Sequence, residues 1–247
     1  SVTSSIGTPS NVANIQVNIV PNCTYLAAVD DFYYFGKPEL IFDFTDGLIY
    51  HNSGSTVRDL GTYGNDGTYV YGSGSGTPTD ITSYSSTAPG YLIIPSTTSA
   101  ANGRSVALPN AFKSPGIADF SFVAWVNLQT LGFGGNKPGI VSAEGVSGGF
   151  PIGWSWYYDN LSGLRATRHN GAGGGDTVLL PWSTLGSPSG PLYNRWLMLS
   201  VVYDGADLTV GAFRTNGVYL STTTPSATSI TSDPAYSCFM GQKNGQF

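Results

Sequence analysis

Three side chains that could bind a metal ion lie close together in the stretch VRDLGTYGNDGTYVY, residues 57–71. Asp59, Asn65 and Asp66 offer carboxylate and amide oxygens, and calcium prefers several oxygen ligands arranged around one turn. The same side chains could instead accept hydrogen bonds from their own backbone in Asx-turns, for which no ion is needed. The sequence therefore leaves two interpretations open, a calcium site or a tight turn that leads into a strand.

A second candidate site is a set of aromatic side chains that could stack on a sugar ring. Trp154, Trp156 and Tyr158 lie in the run GWSWYYDN, and Trp182 follows a later apolar run. In a strand, alternate residues share a face, so Trp154 and Trp156 point to one side and Tyr157 points to the other. One face must form core, so we expect at most two of the four rings in this run to be open to a ligand.

The chain contains two cysteines, Cys23 and Cys238, near its opposite ends. They could form a disulfide that joins terminal strands, or they could remain two buried thiols. A zinc site would need histidines beside them, and the chain has only His51 and His169. The sequence predicts no cofactor other than the calcium ion considered above.

Short apolar or alternating runs, separated by Gly, Pro, Asn and Ser, must position these residues. Their β-branched and aromatic content predicts strands, and helical periodicity is almost absent. Eleven such runs and 33 glycines predict an all-β fold, an antiparallel β-sandwich or jelly roll. The runs are IQVNIV (15–20), ELIFDF (39–44), TYVYG (68–72), GYLIIP (90–95), FSFVAWVNL (120–128), GIVSA (139–143), GWSWYY (153–158), TVLLPW (177–182), WLMLSVVYD (196–204), LTVGAF (208–213) and GVYLS (217–221).

The domain organisation predicted from composition is simple. Residues 1–14 are rich in Ser, Thr, Asn and Gly and read as an N-terminal arm. Residues 15–247 are expected to form a single domain, because all-β sandwiches reach ~200–250 residues without dividing. The Gly- and Ser-rich stretches 72–90, 171–176 and 184–191 are predicted surface loops.

The surface must be built mostly from uncharged polar residues. Only 10% of the residues are charged, against ~25% in an ordinary soluble domain, and the net charge is −5. This composition is typical of secreted, cell-surface or virion proteins. No Lys/Arg cluster is present to neutralise nucleic-acid phosphates. No apolar run approaches the ~18 residues that a membrane span needs.

Four segments in order resemble the laminin-G-like branch of the concanavalin A-like lectin/glucanase superfamily. They are LIFDFTDG (40–47), VRDLGTYGNDGT (57–68), DFSFVAWVNL (119–128) and NRWLMLSVVYDGADLTVGAFRTNGVYL (194–220). The resemblance implies a concanavalin A-like sandwich and, in some members, calcium at the sandwich edge. The chain departs from the family at Leu197 and Met198, where a histidine is common.

The same superfamily includes glucanases, so a pair of catalytic carboxylates has to be considered. Retaining cleavage needs two carboxylates ~5 Å apart. The only glutamates, Glu39 and Glu144, do not stand in the superfamily's Glu-x-Asp-x-x-Glu strand. Asp43 and Asp46 could serve, but alternation along a strand places them on opposite sides. We therefore predict no catalytic residues and a protein that is not an enzyme.

These observations favour a non-enzymatic structural or adhesion protein of a phage or virus particle, such as a capsid decoration or fibre component. No signal peptide is visible in the first residues, which favours a virion over an extracellular location. The predicted partners are other virion or surface proteins, further copies of the chain and glycans. The alternatives are a secreted, lectin-like carbohydrate-binding domain and, less favoured, a glucanase-like hydrolase.

Overall fold

The structure is a computed structural model, and it describes residues 40–42, 56–59, 61, 63–71, 104–109, 119–128, 139–159, 161–187, 192–213, 218–226 and 238–241. The chain divides into two units, Ser1–Pro38 and Glu39–Phe247, and every described residue belongs to the second. The predicted arm at 1–14 lies outside the described residues, so the predicted domain organisation stays a prediction.

The described residues form strands and no helix, which confirms the predicted all-β fold class. The strands are β1 Thr56–Val57, β2 Gly67–Tyr71, β3 Arg104–Ala107, β4 Phe120–Asn127, β5 Gly139–Ser147, β6 Phe150–Asp159, β7 Gly163–Asn170, β8 Gly175–Pro181, β9 Trp196–Tyr203, β10 Asp207–Phe213, β11 Tyr219–Pro225 and β12 Phe239–Met240.

These strands make two antiparallel sheets. The larger sheet has the order β1-β2-β3-β12-β5-β6-β7-β8, and the smaller sheet has the order β11-β10-β9-β4. Neighbours that are distant in sequence, such as β12 between β3 and β5, require crossovers between strands, as in other double-sheet sandwiches. The two sheets enclose one hydrophobic core to which both contribute.

Alternation along the strands builds that core. Phe120 and Phe122 of β4 point inward and meet Trp154 of β6, with ring centroids 5.2 Å apart in each pair. Trp156 follows on the same side of β6 and is fully buried. The prediction that Trp154 and Trp156 share one face is therefore confirmed, and that face is the core.

A buried ionic network links the two sheets. Arg168 of β7 is 2% exposed, and its guanidinium carbon lies 3.5 Å from the centroid of the Tyr203 ring on β9. Its Nη1 donates hydrogen bonds to the carbonyl oxygen and the hydroxyl of Ser226, just after β11. The Ser226 hydroxyl in turn donates to Asp176 of β8, 2.8 Å away. A buried charge is tolerated here because it has hydrogen-bond partners.

Eight of the eleven predicted runs contain an observed strand. The prediction of a strand at ELIFDF is corrected, because residues 40–42 have no strand structure. Leu40 and Phe42 nevertheless pack against the core. The runs at 15–20 and 90–95 lie outside the described residues. Strand β7 was not predicted, because its sequence GLRATRHN is too polar to read as an apolar run.

Asp204-Gly205 stands between two apolar runs, a sequence that predicts a hairpin, and the structure has this hairpin between β9 and β10. Gly205 has a positive φ of 86°, which L side chains rarely adopt. The Asp204 carboxylate accepts hydrogen bonds from the backbone N–H groups of Ala206 and Asp207. The sequence Asn216-Gly217 predicts a second such turn, which lies outside the described residues.

Candidate binding face

Strand register places four apolar side chains in one line across the smaller sheet. Trp125 of β4 lies opposite Met198 of β9, Met198 opposite Phe213 of β10, and Phe213 opposite Tyr219 of β11. Directly opposed residues share a face of the sheet, and this face points away from the core. We call it the open face and this line of four residues the aromatic row. With strands ~4.8 Å apart, the row is about 14 Å long.

The two ends of the row are open to solvent, and Met198 and Phe213 between them are half-buried. Trp125 is 51% exposed and Tyr219 is 41% exposed, and the neighbouring Val123 and Trp196 on the same face are 63% and 38% exposed. Scattered exposed apolar residues are ordinary, but a contiguous exposed patch marks an interaction site. The open face is therefore the candidate binding surface of the described sandwich.

The rest of the open face mixes hydroxyl and aliphatic side chains. Beside the aromatic row lies a row of Val123, Ser200, Gly211 and Ser221, opposed in register. In the next row the Thr209 and Thr223 hydroxyls are hydrogen-bonded at 2.8 Å. These rows contain no charged side chain among the described residues, and the acidic Asp207 lies beyond them at the start of β10.

One side chain of the row reaches across the sheet. The Tyr219 hydroxyl on β11 lies 3.1 Å from Ser200 Oγ on β9, and so passes over the intervening strand β10. Gly211 of β10 permits this, because a Cβ there would collide with the Tyr219 hydroxyl. Phe213 packs against the ring, with centroids 4.5 Å apart. The Tyr219 ring is thus held by three neighbours while the residue stays 41% exposed.

The opposite side of the sandwich carries a buried polar cluster, on the outward side of the larger sheet. Ser155 donates a 2.5 Å hydrogen bond to Glu144 Oε1, and the Thr167 hydroxyl lies 3.2 Å from the same atom. His169 Nε2 lies 3.4 Å from that oxygen, across Gly153, which faces both residues in register. Glu144 is 8% exposed and Ser155 is fully buried, so this cluster is closed to solvent.

A second polar group follows along the same side of the larger sheet. Arg165 Nε lies 3.4 Å from Asp159 Oδ2. Burial raises the pKa of the Tyr157 hydroxyl, while its hydrogen bond to Arg165 acts in the opposite direction. Asp159 stands six residues along β6 from Gly153, the partner of Glu144, which separates the two carboxylates by about 20 Å along the strand. Such a separation does not suit paired carboxylate catalysis.

The structure corrects the prediction of the aromatic residues that bind sugar. Trp154, Trp156, Tyr158 and Trp182 are all 3% exposed or less, because the inward face of β6 and the turn after β8 close over the core. Trp182 Nε1 donates to the Asp159 carbonyl oxygen at 2.9 Å, and its ring stacks on Tyr158 with centroids 5.6 Å apart. None of the four rings is open to stacking.

Asp59, Asn65 and Asp66 adopt the tight-turn alternative. Asp59 Oδ1 accepts hydrogen bonds from the backbone N–H groups of Ile41 and Gly61, and Oδ2 accepts one from Asn65. Asp66 Oδ1 accepts one from the backbone of Asp59. Both Asp59 oxygens are thus engaged by amides. In the part of the chain that the structure describes, no three His, Cys, Asp or Glu side chains group to hold an ion.

Cys238 is a free, fully buried thiol that packs in the core. Burial raises the pKa of this thiol, because the charged thiolate is poorly solvated there. Its predicted disulfide partner, Cys23, lies outside the described residues, as do His51, Glu39, Asp43 and Asp46. The free thiol is the alternative that the sequence left open.

Comparisons with known proteins support the fold. No protein-family model matches the sequence, and no curated protein matches it. The crystal structure of HCR/D-Sa-GBL1/C is similar with a TM-score of 0.50 and 15% identity, over 77% of this chain and 43% of that one. The botulinum neurotoxin serotype D binding domain has a TM-score of 0.47 and 13% identity, over 76% of this chain and 43% of that one. The enzymatically active domain of bacteriophage CBA120 tailspike protein 2 has a TM-score of 0.39 and 11% identity, over 81% of this chain and 27% of that one.

The chain thus spans less than half of each of these structures. At this identity, what it shares with the first of them is the β-sandwich fold. No helix among the described residues is long and apolar enough to cross a membrane.

The sequence did not reveal the open face. The run FSFVAWVNL carries apolar residues on both sides, a pattern expected of a central sandwich strand. In the structure β4 is an outer strand of the smaller sheet, as far as the described strands go, and one of its two sides is exposed. One feature of the sequence did indicate this face: alternation places Trp125 on the side of β4 that does not carry Phe120 and Phe122.

Proposed function

We propose that the chain is a non-enzymatic adhesion module of a phage or virus particle, a decoration or fibre component with a laminin-G-like sandwich. It engages its partner through the open face, and it works beside other surface proteins and further copies of itself. The observation that carries this proposal is the exposed, uncharged aromatic row that runs from Trp125 to Tyr219.

Two further features support binding over catalysis. The polar side chains with catalytic potential on the larger sheet, Glu144 and Ser155, are both buried and hydrogen-bonded to each other. The strongly exposed side chains of the open face are aromatic or aliphatic, and such groups bind surfaces but do not activate water. The low charge of the chain agrees with an exterior location.

A second candidate function is a secreted carbohydrate-binding domain. It uses the same open face, and the exposed Tyr219 ring favours it. The two candidate functions use the same binding surface, and they differ only in the kind of protein that carries the domain.

Adhesion assays test the proposal. Beads coated with the protein are incubated with a panel of bacterial and animal cells, and bound beads are counted by flow cytometry. We expect binding to at least one cell type, and we expect the double variant Trp125→Ser/Tyr219→Ser to lose it.

Leu161→Ser is the matched control, since it removes a side chain that is 88% exposed but lies in the β6–β7 turn. Thermal unfolding of each variant checks that the fold is kept. Equal binding by the double variant and the unmodified protein, or no binding to any cell type, contradicts the proposal.

A further inference from the structure

We infer that the ligand of the open face is a neutral oligosaccharide whose pyranose rings stack on Tyr219 and Trp125. This inference rests on the proposed function and names the chemical class of the partner.

The first support is the orientation of the Tyr219 ring. Its hydroxyl must cross one strand to reach Ser200 on β9, so the long axis of the side chain runs across the sheet. The far end of the ring covers Gly211, and the residue is still 41% exposed. An exposed aromatic ring offers a flat, weakly polar surface on which a sugar ring can stack.

The second support is that this orientation is already fixed. Ser200 holds the hydroxyl, Phe213 packs beside the ring, and Gly211 leaves room beneath it. Ordering an exposed side chain on binding costs ~0.5–1.5 kcal/mol, and a ring held before binding avoids that cost. Packing over glycine also stabilises a strand by itself, but that role does not require the ring to stay exposed.

The third support is the chemistry around the rings. Ser221 and Asn127 lie on the same face as the aromatic row, and their side chains can exchange hydrogen bonds with sugar hydroxyls. A uronate, sialic acid or sulfated sugar would need Lys or Arg opposite its charge. The rows of the open face contain neither among the described residues, so the composition fits an uncharged sugar.

A second copy of the chain is the main competing occupant. A stable dimer buries ~800 Å² on each partner. The strongly exposed apolar residues of the open face are Val123, Trp125, Trp196 and Tyr219, fewer than the ~20–30 residues that such an interface uses on each side, so a single extended saccharide fits this surface better.

Titration with defined oligosaccharides tests the inference. Cellohexaose, maltohexaose, mannohexaose and chitohexaose are compared by calorimetry and tryptophan fluorescence with the charged hexagalacturonate. We expect at least one neutral sugar to bind and hexagalacturonate not to bind. Tyr219→Ser weakens that binding about tenfold, which corresponds to about 1.4 kcal/mol.

Gly211→Ala provides a variant that displaces the ring without removing it. A Cβ at this position forces the Tyr219 hydroxyl away, so we expect the same loss of affinity as in Tyr219→Ser. Leu161→Ser keeps the affinity. Circular dichroism and thermal unfolding confirm the fold of each variant.

The inference is overturned if no neutral sugar binds, or if hexagalacturonate binds as tightly. It is also overturned if analytical ultracentrifugation shows dimers that Trp125→Ser dissociates. Cell adhesion that needs the open face without any sugar affinity would retain the proposed function and remove this inference alone.

Discussion

The guanidinium of Arg168 rests on the ring of Tyr203, with 3.5 Å between the guanidinium carbon and the ring centroid. The two residues belong to different sheets, so this contact joins the layers of the sandwich through its core. Because Arg168 also donates to Ser226, its removal leaves polar groups buried without a partner.

Arg168→Ala is therefore expected to lower the free energy of unfolding by about 3–5 kcal/mol. Arg168→Lys keeps the charge but cannot reproduce the planar stacking, so it retains only part of the stability. Urea denaturation measures both variants. The exposed Arg195→Ala serves as the control, and a loss for Arg168→Ala no larger than the control's would contradict the assigned role.

Alkaline pH is expected to destabilise the fold. Burial raises the pKa of the Tyr158 hydroxyl above its ordinary value of 10.0 and the pKa of the Cys238 thiol above 9.0. Below about pH 8 both groups are protonated in the folded and unfolded states, and stability does not depend on them. Above these values the unfolded chain loses the protons first, so the free energy of unfolding falls as pH rises.

Tyr158→Phe isolates this effect. The Tyr158 hydroxyl has no hydrogen-bond partner among the described residues, so its removal should raise stability at neutral pH by about 1 kcal/mol. The variant should also lose less stability between pH 10 and pH 11 in urea denaturation. Tyr63→Phe changes an exposed tyrosine and should match the unmodified protein. A Tyr158→Phe variant less stable at neutral pH would show that the hydroxyl is bonded.

Calcium is expected to leave the melting temperature unchanged at millimolar concentration, because backbone amides engage both carboxylate oxygens of Asp59. Asp59→Ala removes these bonds and should cost about 3 kcal/mol, which lowers Tm by about 6–12 °C in a domain of this size. The exposed Asp119→Ala should have little effect. A rise in Tm with calcium that Asp59→Ala abolishes would restore the metal interpretation.

The polar cluster around Glu144 is expected to stabilise the fold cooperatively. Glu144→Ala removes the acceptor shared by Ser155 and Thr167 and should cost about 3 kcal/mol. Glu144→Gln keeps an acceptor and should cost less. A double-mutant cycle with His169→Ala should give a coupling of about 0.5–3 kcal/mol, and independent effects of the two residues would show that the imidazole is not part of the unit.

The fold was predictable where side chains alternate strongly between apolar and polar faces. Strand β6 reads as a strand because Trp154 and Trp156 stand two residues apart, and the core takes that side. Strand β7 was hard to predict from its sequence because Arg168, which lies in the core, is charged. Its partners include Tyr203 and Ser226 from distant segments, and sequence alone does not pair them with Arg168.

The binding face was harder to predict than the fold. The aromatic row takes one residue from each of four strands, and the alignment of Trp125 with Tyr219 depends on three successive registers. The sequence also drew attention to the wrong aromatic residues. Clustered tryptophans in GWSWYY suggested a ligand site, but clustering of large apolar side chains on one side of a strand serves burial first.

The contact between Tyr219 and Gly211 has a consequence for how this sequence can change over time. A larger residue at position 211 is excluded while the tyrosine lies over it, and loss of the tyrosine removes that restriction. The two positions should therefore vary together among related chains, with glycine retained wherever an aromatic residue occupies the facing strand. A set of relatives in which position 211 varies freely beside an invariant Tyr219 would imply that the ring stands away from the sheet in them.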